Sequence, residues 1–345
     1  MNSEIDLSEV SVVLLTFNSL TFNYAILLQI LDFLYRCLKL GAEIIIVDNN
    51  STDGTAHFVD KYFSERKIRE DVRIIRLGKN KGFAGGANSG IMEATKEYVF
   101  FMASDVLPEK GCITRLLAAM KKNGNIAVAQ PILVKNSREI DSAGHFIDFF
   151  LHSVDLKDFV KKYSIFRNRT LPIFYAKGAC FMVRKSVFKE INGFDDEFFL
   201  VYEDVDLCWR ARLAGYKVIL VPSARSFHLG TTTMNVRSHQ YVYYQERNRF
   251  MSFIKNMDSK YLVKLVWVYM LMFILQLAVL SFLRRRSALS LINALSYVIL
   301  NLMHVIQKRR SVQSRRKVGF ADFMNEGIIA PISLERLIKK FSKFR

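Results

Sequence analysis

The chain has 345 residues, of which 51% are hydrophobic, and it carries a formal net charge of +18 at pH 7. Its length predicts one large catalytic domain with an appendage, or two domains. From Lys255 onward 17 Lys and Arg face 4 Asp and Glu, and such a basic stretch beside apolar segments favours an anionic membrane surface over nucleic acid as its partner.

The N-terminus begins with acidic and polar residues instead of the basic and apolar regions of a signal sequence, which predicts a cytoplasmic catalytic part. Short apolar runs then alternate with helical patterns. Strands are predicted at Val10 to Thr16, Glu43 to Asp48, Val72 to Leu77 and Tyr98 to Met102. Helices are predicted between them, at Ala25 to Leu40, Asp53 to Ser64 and Ala84 to Thr95. This alternation predicts an α/β fold with a mostly parallel sheet.

The next part of the chain is less regular. A strand at Ile126 to Ala129 is followed by mixed aromatic and charged residues through Thr170, which are typical of a variable insertion. Regularity returns with strands at Phe174 to Val183 and Lys217 to Val221, and with helices at Val187 to Ile191 and Asp204 to Ala214. Gly215 ends the last of these helices as a C-cap glycine.

Two apolar segments follow. Leu265 to Leu283 is 19 residues long and approaches the roughly 20 residues of a bilayer crossing, whereas Ala288 to Ile306 is less apolar. Arg284 to Arg286 lie between them. Residues 334–343 then alternate apolar and basic residues as a basic amphipathic helix does. Two spans would place the three arginines outside, so the sequence favours a monotopic or re-entrant arrangement in the cytoplasmic leaflet, with anionic head groups neutralising the arginines. A buried core helix is the alternative for the first segment.

Polar residues follow each predicted strand of the first half, where ligands of such sheets bind. They are Thr16 with Asn18, Asp48 to Ser51, the glycine-rich Gly82 to Gly90, and Ser104 with Asp105. Turns use the same residue types. Helix packing explains the glycine-rich stretch at least as well as a close approach of its N–H groups to a diphosphate.

Acidic residues and one histidine are the candidates for chemistry. Asp105 can hold a divalent cation that bridges two phosphates, or it can cap a helix near Pro108. Glu203, Asp204 and Asp206 crowd the start of a helix more than stabilisation of its dipole requires, so one of them can act as a general base. His228 is either a metal ligand or a loop histidine. The four cysteines are scattered and indicate neither a disulfide framework nor a zinc site.

The order of these motifs is more specific than any one of them. The chain contains, in this order, VVLLTFN, IIIVDNNSTDGT, NKGFAGGANSG, a strand ending in Asp105, KGACFMVRKSVF, GFDDEFFLVYEDVDLCWRARLAGYKV and FHLG. Over Val10 to Gly230 it resembles family-2 inverting glycosyltransferases of the GT-A fold, and within them the rhamnosyltransferase and galactofuranosyltransferase-like branch. The resemblance implies a Rossmann-like GT-A catalytic domain over residues 1–235 and a basic, helical, membrane-associating region over residues 236–345.

The resemblance also implies roles for matching residues. Asp204 would be the base that deprotonates the acceptor while a nucleoside diphosphate departs in a single displacement, and Asp105 with His228 would bind Mg²⁺ or Mn²⁺. Trp209 and Arg210 would lie behind the catalytic helix. The donor pocket would be lined by Thr16, Asn18, Asp48, Gly85, Gly86, Asn88, Lys177 and Gly178. The expected partners are a nucleoside-diphosphate sugar and a lipid-linked glycan acceptor of the cell envelope.

The sequence departs from this family at Ala103, where the usual motif has Asp or Asn two residues before the metal-binding Asp. The departure predicts weak cation binding. It also favours an alternative function, a catalytically weak or inactive membrane-bound protein that binds nucleotide sugars. A nucleotidyltransferase is the runner-up among enzymes, but the TFNSL segment lacks the lysine-rich phosphate signature that such an enzyme needs.

Overall fold

The computed structural model describes residues 6–136, 139–157, 169–230 and 238–331. The predicted amphipathic helix at residues 334–343 lies outside these ranges. Thirteen strands are defined within them: β1 Val10–Thr16, β2 Glu43–Asp48, β3 Val72–Arg76, β4 Tyr98–Ala103, β5 Val106–Pro108, β6 Ile126–Val134, β7 Ile140–Ser142, β8 His145–Asp148, β9 Ser153–Asp155, β10 Leu171–Pro172, β11 Cys180–Arg184, β12 Lys217–His228 and β13 Ile329–Ala330.

Eleven α-helices are defined in the same described ranges: α1 Ser19–Lys39, α2 Thr55–Glu65, α3 Gly82–Glu93, α4 Cys112–Lys121, α5 Lys185–Glu190, α6 Glu203–Leu213, α7 His239–Asn256, α8 Ser259–Leu283, α9 Arg285–Leu300, α10 Leu302–Ser314 and α11 Phe320–Asn325. Two short 3₁₀ helices, Arg69–Asp71 and Asp196–Phe198, are also defined.

The main sheet has the strand order β10-β12-β6-β11-β4-β1-β2-β3, with β5 paired to β12 and β7 to β6. The pairs β1–β2, β1–β4, β2–β3 and β6–β12 are parallel, whereas β11 is antiparallel to both β4 and β6. Strands β1 and β2 are buried almost throughout because helices cover both faces, which explains their unbroken apolar runs. The predicted α/β fold with a mostly parallel sheet is confirmed.

Three predicted elements differ from the observed ones. Strand β11 begins only at Cys180, because the N–H groups of Lys177 and Gly178 donate to side chains, those of Gln130 and Asp204. Strand β12 runs beyond Val221 to His228, with an irregularity in its pairing after Val221. The C-terminal apolar stretch from 288 to 306 is two helices, α9 and α10, bent by 69°.

The C-terminal helices share the apolar core of the sheet. Residues of α7, α8, α9 and α11 belong to the same cluster of buried side chains as β1 and α6. Polar contacts add to this packing, since Ser252 and Asn256 of α7 donate to the buried carboxylate of Asp206 on α6 at 3.1 and 2.9 Å. The boundary predicted near residue 235 therefore separates segments that pack directly on each other.

Candidate functional site

A cleft of about 580 Å³ lies at the carboxyl edge of the parallel strands. The ends of β1, β2, β4, β6 and β12 all reach it, as the general rule for open α/β sheets predicts. The turn before β11 and the start of α6 close the opposite side. Of the residues predicted from the sequence, Asp105, Lys177, Gly178, Asp204 and His228 line this cleft together.

Asp105 and His228 form one end of the cleft. Asp105 follows β4, His228 ends β12, and the pairing of β12 with β5 brings them together. His228 Nε2 lies 3.4 Å from Asp105 Oδ2, and His228 Nδ1 lies 2.7 Å from Asp141 Oδ2. Burial disfavours the imidazolium, but the hydrogen bonds with Asp105 and Asp141 outweigh burial and raise the pKa of His228. The predicted alternatives, a helix-capping Asp105 and an unpartnered loop His228, do not occur.

The donor set at this end fits a divalent cation with two protein ligands. Asp105 Oδ2 and His228 Nε2 face each other at a distance that one small ion can bridge, while a carboxylate holds the other ring nitrogen of the histidine, as in many metal sites. Ala103 borders the cleft and offers no oxygen. Within the described ranges, no group of three or more His, Cys, Asp or Glu side chains lies close enough together to hold one ion. Donor phosphates and water are therefore needed to complete the coordination.

Asp141 is a site residue that the sequence analysis missed. It lies on β7, in the irregular region where no motif marked it. Its carboxylate accepts hydrogen bonds from His228 and from Lys177 Nζ, both at 2.7 Å. Burial raises its pKa, but these two partners outweigh burial and hold the pKa well below its usual range. Asp141 thus joins the predicted cation site to the predicted sugar-binding residue Lys177.

Glu203 and Asp204 begin α6 side by side in different environments. Asp204 is partly exposed, and its two oxygens accept the N–H groups of Gly178 and Val205 at 2.9 and 2.8 Å. Glu203 is buried, and its Oε2 has no hydrogen-bond partner within the described chain. Burial raises the pKa of both carboxyl groups, but Glu203 far more, because it has no such donors and faces the charge of Asp204. Asp204 is therefore the more readily ionised carboxyl group of the two, and it is the accessible one.

The loop before this pair is held in an unusual conformation by α7. Phe199, Val201 and Tyr202 have positive φ angles of 59°, 70° and 73°, which non-glycine residues rarely adopt. The buried side chain of Asn248 donates to the carbonyl groups of residues 198, 200 and 201. The C-terminal helices thus fix the loop that presents Glu203 and Asp204.

The other end of the cleft is built from the loops after β1, β2 and β3. Asn49 Nδ2 donates to Asn80 Oδ1 and to the carbonyl of Gly82, and its own Oδ1 accepts the N–H of Lys81. Phe17 and Phe22 line the same end and offer rings for a planar base. The sequence analysis did not single out Asn80 or the two phenylalanines. The spacing of strands shows that loops converge here, but not which of their side chains point inward.

Three predicted donor-binding residues do not line this end: Thr16 and Asp48 are buried, and Asn18 is partly exposed. Thr16 is fully buried and donates to Val47 O and Asp48 Oδ1, and Asp48 in turn accepts the N–H of Ser51. Asn18 Oδ1 accepts the N–H of Thr52. These residues shape the loops after β1 and β2, whereas the neighbouring Asn49 reaches the cleft.

The structure does not bring Gly85, Gly86 and Asn88 to the cleft, which corrects their predicted place beside the donor. Helix α3 begins at Gly82, so these residues lie inside the helix and not on a phosphate-binding loop. A Cβ on Gly86 would meet Leu15 at 2.7 Å. Asn88 bonds the backbone of Phe194 and the carboxylate of Asp196. All three serve packing, as do Trp209, which contacts Phe174, and Arg210, which pairs with Asp206.

Comparison with known proteins places this chain in a family. Residues 11–192 match the family model described as Glycosyl transferase family 2. The chain is 25% identical over 236 residues to the low-salt glycan biosynthesis hexosyltransferase Agl10 of Haloferax volcanii, covering 65% of this chain and 73% of that protein. It is 27% identical over 212 residues to an N-acetylglucosaminyl-diphospho-decaprenol L-rhamnosyltransferase of Mycobacterium tuberculosis, covering 54% and 66%.

Solved structures agree on the fold. The chain superposes on GalNAc-T7, determined with UDP, GalNAc and Mn²⁺, with a TM-score of 0.59 at 17% identity, over 76% of this chain and 49% of that one. It superposes on the mannosyltransferase PcManGT of Pyrobaculum calidifontis, determined with GDP-Man and Mn²⁺, with a TM-score of 0.53 at 14% identity, over 89% and 83%. The predicted GT-A fold is confirmed.

Proposed function

Because the chain belongs to glycosyl transferase family 2 and is a glycosyltransferase of the GT-A fold, we propose that it moves a sugar from a nucleoside-diphosphate sugar to a hydroxyl of a lipid-linked glycan with inversion at the anomeric carbon. The observation that carries this proposal is the accessible carboxylate of Asp204, held by two backbone N–H groups in the same cleft as the Asp105–His228 pair. Neighbours solved with UDP or GDP-Man and Mn²⁺ support the donor class.

In the proposed reaction Asp204 takes the proton of the acceptor hydroxyl as its oxygen forms a bond to the anomeric carbon. The bond from that carbon to the diphosphate breaks, and its electron pair leaves with the nucleoside diphosphate. The N–H groups of Gly178 and Val205 fix the carboxylate of Asp204 in its position. Burial raises the pKa of the neighbouring Glu203 well above its usual range, so that this group ionises less readily than Asp204.

The opposite end holds the donor. Asp105 and His228 would hold a Mg²⁺ or Mn²⁺ ion that neutralises the leaving phosphates, and Asp141 orients His228 from behind. Lys177, bound to Asp141, borders the sugar. Asn49, Asn80 and the ring of Phe17 face the nucleotide. The missing oxygen at Ala103 favours a second candidate, a weak or inactive protein that binds nucleotide sugars in the same cleft.

The acceptor site lies at a membrane surface in this proposal. Helix α8 is long and apolar enough to cross a bilayer, and only 22% of its most apolar stretch is buried against the protein. The stripe Tyr269, Phe273, Gln276 and Leu280 packs inward, and Gln276 bonds Glu246 of α7. Because α8 is tied to the catalytic domain along this stripe, we propose that it lies in one leaflet on the cytoplasmic side. The relative that acts on a diphospho-decaprenol sugar supports a lipid-linked acceptor.

A pair of neighbouring substitutions tests the proposed base. Asp204→Asn removes the proton acceptor and should lower transfer by roughly 100-fold or more while nucleotide binding stays nearly intact. Glu203→Gln is the matched control, because this residue ionises less readily than Asp204 and its replacement should retain most of the activity. The assay measures donor hydrolysis and transfer with a panel of nucleotide sugars, alongside nucleotide affinity. Wild-type turnover in Asp204→Asn, or a larger loss in Glu203→Gln, would refute the assignment.

A further inference from the structure

A polar groove runs between α7 and α9, on the side of the molecule that faces the proposed membrane. Ser287, Ser290 and Asn293 recur every three residues on one face of α9 and border it. His239 and Tyr243 of α7 form the opposite wall. The groove consists of two hollows of about 490 and 420 Å³. Ser287 and Ser290 are buried where α9 packs on α7, whereas the side chain of Asn293 is exposed.

The groove adjoins the catalytic cleft. Phe199 lines both the cleft and the first hollow, and His239 lines both hollows. The second hollow ends at Arg284, Arg285 and Arg286. A molecule lying along the groove therefore reaches from the three arginines to the loop that presents Asp204.

The walls of the first hollow suit sugar rings. Phe199 and Tyr244 stack with their ring centroids 5.5 Å apart and their planes at 22°. Arg247 lies over the ring of Tyr244, 5.1 Å from its centroid, and its guanidinium donates to backbone carbonyls of residues 197 and 198. Aromatic surface flanked by serine, asparagine and glutamine side chains offers apolar contact for a sugar face and hydrogen bonds for its hydroxyls.

The arginines at the far end lie between two exposed apolar surfaces, those of α8 and α9. Helix α8 exposes Trp267, Leu271 and Phe282, the last with 92% of its area accessible, and the arginines follow one residue after its end. Guanidinium groups bind phosphate oxygens in a bidentate manner. In the described parts of the chain no carboxylate forms a salt bridge with Arg285 or Arg286, whereas Lys308 and Arg316 have acidic partners. The positive charges of Arg285 and Arg286 therefore face the second hollow without an acidic partner among the described residues.

We propose that Arg284, Arg285 and Arg286 bind the diphosphate of a polyprenyl-diphosphate-linked glycan, and that its sugars lie along the groove with the reacting hydroxyl at Asp204. The proposal rests on the sugar transfer described above and specifies its acceptor class. The exposed apolar faces of α8 and α9 receive the polyprenyl chain in the leaflet, the arginines take the charged link, and the polar walls take the sugars.

Vesicle binding by the full-length protein tests the proposal directly. The probes are phosphatidylcholine vesicles that contain either undecaprenyl diphosphate or phosphatidylglycerol at equal surface charge. The wild type should prefer the diphosphate vesicles, and Arg285→Gln with Arg286→Gln should reduce that affinity about tenfold or more. The control replaces Arg310 of α10 and Arg315, which follows the last residue of this helix, with glutamine; both are exposed and neither lines the groove. It should weaken binding to both vesicle types alike and preserve the preference.

Two outcomes would overturn this site. One is a wild type that binds both vesicle types equally, which would make the arginines a general contact for anionic lipid. The other is a preference that survives in the double arginine variant. Donor hydrolysis is measured in parallel, and the double arginine variant should retain it, because its arginines lie outside the cleft. A wild type without donor hydrolysis or transfer would contradict the sugar-transfer proposal and leave the vesicle result to decide the lipid-diphosphate site by itself.

Discussion

At the scale of single residues, the cleft shows how environment separates groups of the same chemistry. Glu203 and Asp204 are adjacent carboxylic acids, but only Asp204 has backbone donors and partial exposure. The sequence predicted that one acid of this cluster acts as a base. It could not rank the acids by burial, and the choice of Asp204 came from resemblance. Asp141 was missed because a single aspartate in an irregular region has no periodic signal, although it contacts two predicted residues.

The acid limb of the pH profile follows from this environment. Burial raises the pKa of Asp204 above its ordinary 3.8, and the ionised form is the active base. Activity should therefore be complete above that raised pKa and fall as the pH decreases through it, so the limb lies at a higher pH than for an exposed aspartate. The pH dependence of kcat/KM measures this. Glu203→Gln should leave the limb in place, since the pKa of Glu203 is raised well above that of Asp204; a limb at or below pH 3.8 contradicts the assignment.

Cation dependence is the second prediction at this scale. With Ala103 contributing no ligand, the Asp105–His228 pair should need a high concentration of Mg²⁺ or Mn²⁺ for half-maximal activity. Ala103→Asp adds an oxygen at the border of the cleft and should lower that concentration about tenfold. Activity titrated with each metal after EDTA treatment checks both statements. Full activity in excess EDTA would show that basic side chains alone stabilise the leaving group.

At the scale of elements, the strands and the glycine-rich helix were predictable. The residues of this helix by themselves favoured helix packing over diphosphate binding, whereas the resemblance placed Gly85, Gly86 and Asn88 beside the donor. Buried β-branched runs specify β1 and β2 directly. A glycine-rich segment after a strand is equally typical of a phosphate-binding loop and of a helix that packs closely on a sheet, and the distinction depends on where the helix begins. Since α3 begins at Gly82, Gly86 and Gly90 face the sheet, where side chains of β1 and β2 leave no room for a Cβ.

Gly90→Ala tests this packing role. The added Cβ would lie 2.5 Å from Val13 Cγ1 and 2.8 Å from Val47 Cγ2, both on buried, β-branched side chains that have few alternative rotamers. Overpacking typically costs 1–3 kcal/mol, which equals or exceeds the gain in helix propensity of about 1 kcal/mol, so the free energy of unfolding should fall by up to about 2 kcal/mol. Gly78→Ala, whose Cβ meets nothing within 4 Å, is the control. Urea unfolding compares the two variants, and equal midpoints would contradict close packing.

At the scale of the whole molecule, the basic C-terminal charge is not all available to lipid. Lys308 pairs with Asp195 and Glu197, Arg309 donates to the carbonyls of Ile254 and Met257, and Arg316 pairs with Asp258. Composition predicted a membrane-facing basic region but could not show which of its charges are neutralised within the protein. These contacts also have a topological consequence, because they return α10 to the catalytic domain after the apolar helix α8.

Thiol labelling in cells tests the resulting topology. A single span by α8 would place α10 across the bilayer from Asp195, with which Lys308 of α10 forms a salt bridge. Helix α9 is short and packs on α7 through its serine face. Both α9 and α10 should therefore remain on the cytoplasmic side. Ser287 is only 4% exposed and would be protected in any topology, so Arg310→Cys on α10 and Lys79→Cys on the catalytic domain are the informative probes. The four native cysteines are buried and give little background.

Both introduced cysteines should resist an impermeant maleimide added to intact cells and react once the membrane is opened, because the proposed topology keeps α8 and α9 in one leaflet and both probes on the cytoplasmic side. Labelling of Arg310→Cys but not Lys79→Cys in intact cells would mean that α8 spans the bilayer. In that case the bonds from Lys308 to Asp195 and Glu197 could not form in the membrane. Asn248 of α7, which holds the loop before Glu203, would then lose the support of α8 and α10, which pack behind α7. Topology and catalytic geometry therefore depend on each other in this molecule.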